Sequence, residues 1–261
     1  LARADLFYGA GYGHSLKPVF FLARIEEGRN TGDTPLIILG RELVRDLLTL
    51  PALTQDDAVV IRREAAGLFL WDQMAYLKKS GQRFLRFGLR ACGLPDPGVK
   101  SRKTHFNAIL GAQEQTYIHH EIGEIKDRVF DRRDFRKILS QFAGTSVEFL
   151  ARTIKDLLAD TGPRGTLNQI ITTQNAAGLG FYAAFQDGLF RPLFPGLRPA
   201  VERFVSDGDW ERIEETRLKG FETACQSARD LRAMFKENED QDNIKPLEEK
   251  IHQALVQPLL K

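Results

Sequence analysis

Cysteine is scarce in this chain. Of 261 residues, two are cysteine, Cys92 and Cys225, far apart and in no Cys-x-x-Cys pairing. That excludes a disulfide framework and a zinc–thiolate site, and it fits a reducing compartment. An excess of one charge is also missing. Lys and Arg number 37 against 35 Asp and Glu, a net charge of +2. A nucleic-acid partner would call for a basic stripe, so none is expected. No signal peptide opens the chain. It does not begin with Met, so a preceding N-terminal segment is expected. Residues 167–186 are long enough for a membrane span and carry no charge. Their asparagines, glutamines and threonines would need partners in lipid, so no membrane contact is expected. No internal repeat or low-complexity tract is visible.

The common chemical motifs are absent as well. Gly9, Gly11 and Gly13 precede His14, Ser15 and Lys17, but the spacing is neither G-x-G-x-x-G nor a P-loop, and no clear strand precedes it. A tight glycine loop is the plainer reading, and no nucleotide is expected to bind there. Ser15 follows His14 directly, which gives no ground for a nucleophile–base pair, and neither cysteine has a recognisable nucleophile context.

What is present is an ordinary globular composition, 43% hydrophobic and 28% charged. It also has one unusual stretch. Residues 117–124 read YIHHEIGE and hold two of the five histidines. They lie within a run of residues 105–128 that no proline interrupts, with Thr104 as a candidate N-cap. At about 100° per residue, Phe106, Leu110, Gln113, Tyr117, Glu121, Glu124 and Arg128 share one face, with His120 at its edge. Ile118, Ile122, Ile125 and Val129 form a second strip. One face thus turns from apolar to charged along its length.

A buried carboxylate is costly unless a cation, a donor or a metal offsets it. His120 and Glu124, four apart, can reach one ion from one helix, and Glu121 can share it. Glu64 and His14 are the candidates to complete such a site. One imidazole or two with carboxylates and no thiolate suit zinc, iron or manganese. The helix lacks the Glu-x-x-His repeats by which di-metal bundles recruit further ligands. Two alternatives stand beside the metal. One is a salt-bridged network, with Glu124 paired to Arg128 and Tyr117 donating to Glu121; the other is an acid pair that binds a ligand.

Along the rest of the chain, Pro18 suits the first turn of a helix over residues 19–26. Residues 36–39 and 58–61 read as strands flanking a short helix over 41–50, or the second run merges into a helix from Thr54. Residues 62–79 predict a helix with Ile61, Leu68, Trp71 and Ala75 inward and Glu64 amid that face. Residues 87–103 read as a long basic loop. Further helices are expected over 131–142 and, from a Thr145/Glu148 capping box, over 146–160. Residues 167–186 predict one central buried helix, and 191–199 a proline-rich loop. A helix capped by Asp207 or Asp209 runs to about Phe235, and an amphipathic helix covers 246–260.

These spans predict a mainly α protein, bundle-like, with a small α/β portion near its start. Its parts are a mixed α/β portion over 1–100, a helical bundle over 101–236, and an acidic linker with a C-terminal helix over 237–261. That last helix docks on its own chain or supports a homo-oligomer. Residues 8–23 (YGAGYGHSLKPVFFLA), 36–46 (LIILGRELVRD) and 61–71 (IRREAAGLFLW) resemble a family of bacterial proteins of unknown function. The resemblance implies a bacterial, cytoplasmic protein with a further N-terminal segment. It lends no residue a role. Two function classes follow: a metal-binding helical protein, as oxidoreductase or hydrolase, and a non-catalytic protein acting through its surface.

Overall fold

The structure is a computed structural model that describes residues 5–47, 50–94, 105–237 and 244–260. The chain begins as a sheet. Strands β1 (Leu6–Tyr12), β2 (Pro18–Thr31), β3 (Thr34–Arg45), β4 (Ala52–Gln55) and β5 (Ala58–Arg62) form one five-stranded sheet in the order β1-β2-β3-β5-β4. All neighbours pair antiparallel except β3 with β5. Asp56 and Asp57, both at positive φ, make the two-residue turn between β4 and β5, as right-twisted hairpins prefer.

This overturns two expectations. Residues 19–26 are strand, not helix. Val19, Phe21 and Ala23 are buried while Phe20, Arg24 and Glu26 face out, a period of two that helix-compatible composition concealed. Residues 41–45 are likewise strand, not the start of a short helix. β3 continues to Arg45 because β2 is long enough to pair with it, Leu22 opposite Val44 and Phe21 opposite Arg45. Residues 36–39 and 58–61 are strands, as read. The tight loop expected for the three glycines is strand over the first two: β1 carries Gly9 and Gly11, and a Cβ on Gly9 would run into the Phe21 ring of the paired strand.

The chain turns helical at α1 (Arg63–Ala75) and continues through α2 (Gln82–Ala91), α3 (Phe106–Lys126), α4 (Arg132–Gln141) and α5 (Ser146–Thr161). Then come α6 (Thr166–Thr172), α7 (Ala176–Phe185), α8 (Phe190–Leu193), α9 (Leu197–Asp207), α10 (Trp210–Lys236) and α11 (Ile244–Ile251). The molecule is mainly α with an N-terminal sheet.

α3 lies between the two parts. Its Ile118, Ile122 and Ile125 pack on Leu36, Ile38, Val59 and Ile61 of the sheet, while its Ile109 joins the core built by α5, α7 and α10. A helix enclosed from several sides is apolar from several sides, which is why neither strip of its sequence dominates.

Elsewhere the faces and ends differ from the pattern in instructive ways. α1 buries Ala66, Leu70 and Met74, and leaves Leu68 exposed and Trp71 half-buried against Phe106. Both sides carry apolar residues, so periodicity did not select between them. The expected loop over 87–103 begins as helix: α2 runs to Ala91, and residues 95–103 lie outside the described residues. α2 packs tightly on α7 where Gly88 meets Gly180; a Cβ on Gly180 would fall 2.6 Å from the Gly88 nitrogen.

The single helix over 167–186 is two. Gln174 adopts φ 50°, and Asn175 caps α7 by accepting from the Gly178 N–H at 2.9 Å. Residues 191–199 are largely helical. Pro192 and Pro199 sit in the first turns of α8 and α9, where a missing N–H costs nothing. α4, α5 and α10 begin where expected, capped by Asp131, Thr145 and Asp209. Glu148 is fully buried, but it does not close the expected box. It accepts instead from Gly144 N at 2.7 Å, Ser15 N at 2.8 Å and Arg152 Nε at 2.7 Å. Burial alone would raise its carboxyl, and these donors outweigh that and hold it below the ordinary value. The acidic linker over 238–243 lies outside the described residues. Leu247, Ile251 and Val256 of the C-terminal segment are buried in the main core of the same chain. Among the described residues no helix is long and apolar enough to cross a membrane.

Candidate metal centre

α3 and α5 lie close together because the residue between the two candidate ligands of α3 is small. A Cβ on Gly123 would run into the Ala159 carbonyl of α5. The approach brings two residues of α3, His120 and Glu124, to two residues of α5, Asp156 and Asp160. In each pair the members are four apart, so each pair occupies one side of its helix.

The His120 ring is fixed by its Nδ1, which bonds Asp160 Oδ1 at 2.9 Å. Asp160 is itself held: Tyr182 of α7 donates its hydroxyl to Oδ2 at 3.0 Å. Nε2 therefore points away from Asp160, toward Glu124 Oε1 at 3.8 Å and Asp156 Oδ1 at 3.9 Å. These last distances are too long for hydrogen bonds. Ligand atoms of His120, Glu124 and Asp156 all lie within 4.8 Å of one another. A carboxylate behind a histidine, fixing its tautomer and aiming its second nitrogen, is the usual support for a metal-bound imidazole.

The charges in this cluster oppose one another. Burial would lower the His120 imidazolium, but Asp160, Asp156 and Glu124 outweigh it and hold His120 well above its ordinary value. Asp156 is pushed up to about 7, by lost hydration first, with the charges of Glu124 and Asp160 adding and that of His120 opposing. Since 45% of its side-chain surface stays open, water offsets part of that push. Above the cluster lies a cavity of about 360 Å³ lined by His120, Asp156, Asp160, Tyr117, Tyr182 and Phe185 among others.

The other sequence candidates are elsewhere. Glu121 turns to the sheet and accepts from Thr54 Oγ1 at 2.9 Å; burial and Glu124 push it up to about 7. Glu64 is exposed and accepts from the Glu42 N–H at 2.7 Å. His14 packs its ring on Phe149, centroids 4.2 Å apart, and bonds Ser15 Oγ through Nδ1 at 2.7 Å. The adjacent pair does meet, then, but His14 Nε2 is buried with no hydrogen-bond partner, so no third group orients it as a base. Arg128 donates to the carbonyls of Ile125 and Asp127. Asp156, Asp160 and Tyr182 were not singled out from the sequence. The available signal was the Asp-x-x-x-Asp spacing beside the apolar stripe of α5.

Two matches cover most of the chain. Residues 1–62 match the N-terminal domain, and residues 68–254 the C-terminal domain, of a family of unknown function (DUF6866). The chain belongs to that family. The first match ends with the sheet at Arg62, and the second begins within α1 at Leu68. No curated protein and no solved structure matches it.

Proposed function

We propose that this member of the family binds a divalent transition-metal ion through His120 Nε2, Glu124 and Asp156, with Asp160 and Tyr182 positioning the imidazole. The observation that carries this reading is the direction of His120 Nε2. The ring is held from behind by Asp160 and faces two carboxylate oxygens just beyond hydrogen-bond range. One imidazole and two carboxylates favour zinc, iron or manganese over copper(I). With these protein ligands, coordination positions would remain open toward the cavity. There a bound water could serve as nucleophile, or dioxygen could bind. The half-buried, unbridged cysteines suit a reducing compartment, and a bacterial cytoplasm remains part of this reading.

A second reading is the ion network alone, a protonated His120 tying α3 to α5. The raised basicity of His120 favours it. Elemental analysis of protein purified without chelators or a His-tag separates the two. Near-stoichiometric zinc, iron or manganese is expected in the wild type and is expected to be lost in His120→Ala. An ion must displace the proton on His120, so affinity should rise with pH and fall as the pH drops. Less than about a tenth of an equivalent of any transition metal, unchanged after soaking, would leave the network as the account.

A further inference from the structure

Beyond the metal cluster, a cleft of about 1050 Å³ opens among α2, α8 and α9. Its cations are Lys79, Arg83, Arg86, Arg191 and Arg198, and its carboxylates are Asp187 and Glu202. Both carboxylates are already engaged. Glu202 pairs with Arg83, and Asp187 with Lys78 at 2.7 Å. Lys79, Arg86 and Arg191 have no ion-pair partner among the described residues.

The placement of the arginines is unusual. Arg83, Arg191 and Arg198 each stand second in their helices, and the first turns of α2, α8 and α9 contain no acid. Helix starts favour negative charge, so α2 and α9 would gain from an anion there.

Arg198 shows the imbalance most clearly. Its guanidinium is fixed by neutral groups: the carbonyls of Ala183 at 3.2 Å and Gln186 at 3.0 Å, and Ser80 Oγ at 3.2 Å. Burial lowers it from its ordinary value, and Arg191 and Arg83 push it in the same direction. Gln186 lines the same cleft, but its buried side-chain amide lies against the Tyr182 hydroxyl on the side of the metal cluster. Gln186 itself is 9% exposed. The cleft thus presents more cations than carboxylates: Asp187 offsets part of the charge of Arg191 and Arg198, and Asp187 and Glu202 are already paired with Lys78 and Arg83.

We propose that this cleft binds a phosphorylated small molecule, its phosphate held by Arg191 and Arg198 with Arg86. Guanidinium forks match phosphate oxygens in pairs. The site is concave and of the size that small ligands occupy. Across the whole chain, basic and acidic residues nearly balance, which does not suit a nucleic-acid backbone. The proposal does not depend on a metal at His120.

Inorganic pyrophosphate is the probe, titrated calorimetrically into chelator-treated protein at near-physiological salt, with sulfate as the control anion. One saturable site is expected, tighter for pyrophosphate than for sulfate. Arg191→Gln should weaken it at least about tenfold at an unchanged Tm, because Arg191 makes no ion pair within bonding distance among the described residues. Arg86→Gln serves as a second variant if Arg191→Gln lowers the Tm. His120→Ala should bind pyrophosphate like the wild type, which separates this site from the metal reading. No saturable binding up to about 10 mM would overturn the proposal, as would undiminished affinity in both arginine variants. Binding to phosphatidylserine vesicles or to an oligonucleotide, without binding of free pyrophosphate, would overturn it in favour of a membrane surface or a nucleic acid.

Discussion

Asp160 governs the geometry of the cluster without belonging to the proposed ligand set. It holds His120 Nδ1 and is held by Tyr182, so it decides which imidazole nitrogen faces Glu124 and Asp156. Asp160→Asn keeps the size and can keep one hydrogen bond, but it removes the charge behind the ring. Metal affinity in that variant is expected to fall about 10- to 100-fold with the fold intact, as read by calorimetry and circular dichroism. Affinity equal to the wild type would mean that Asp160 does not orient the ring. At this scale the sequence was half legible. His120 and Glu124 were visible because a four-residue spacing on one helix is a local property. Asp156 and Asp160 have the same spacing, but their partnership with His120 depends on how α5 lies against α3, which no local pattern records. Glu121 stands apart from the cluster for the opposite reason. It is close in sequence, yet it sits far enough round the helix to face Thr54 and the sheet.

Helix starts were legible wherever a side-chain cap marks them. α4, α5 and α10 each begin behind such a cap, and their starts were read correctly. α1 and α3 have neighbours on more than one side, so their periodicity was ambiguous. β2 was misread because its inward set, Val19, Phe21 and Ala23, lies next to outward Phe20 and Leu22, and the alternation of polarity is blurred. One close helix contact bears on the site itself. Gly123 lets α3 approach the Ala159 carbonyl, and it lies between His120 and Glu124 in the chain. Gly123→Ala gains helix propensity but forces backbone apart from backbone. A net loss of about 1–3 kcal/mol is expected in urea unfolding, together with weaker metal binding, because α3 and α5 can no longer bring their ligands equally close. A variant as stable as the wild type would show that the two helices separate without strain.

On the scale of the whole molecule, the C-terminal segment bears on both proposed sites and on assembly. Leu247, Ile251 and Val256 are buried in the same core that holds Ile154, Leu157 and Tyr182, while Leu259 and Leu260 line the basic cleft. Burying an aliphatic side chain of this size contributes about 1.5–3 kcal/mol, an upper figure because unfolded chains are already partly collapsed. Total stabilities of about 5–15 kcal/mol leave little room for losing three of them. Removing residues 244–261 is therefore expected to lower the Tm markedly, to weaken pyrophosphate binding, and to leave the mass per particle unchanged in light scattering. The amphipathic pattern of this segment fits docking on its own chain and docking between copies equally well, so the sequence could not separate them. Buried Leu247 and Ile251 give its apolar side an occupant within the chain. A truncated protein that keeps its Tm and halves its mass would instead make the segment the seam of a homodimer.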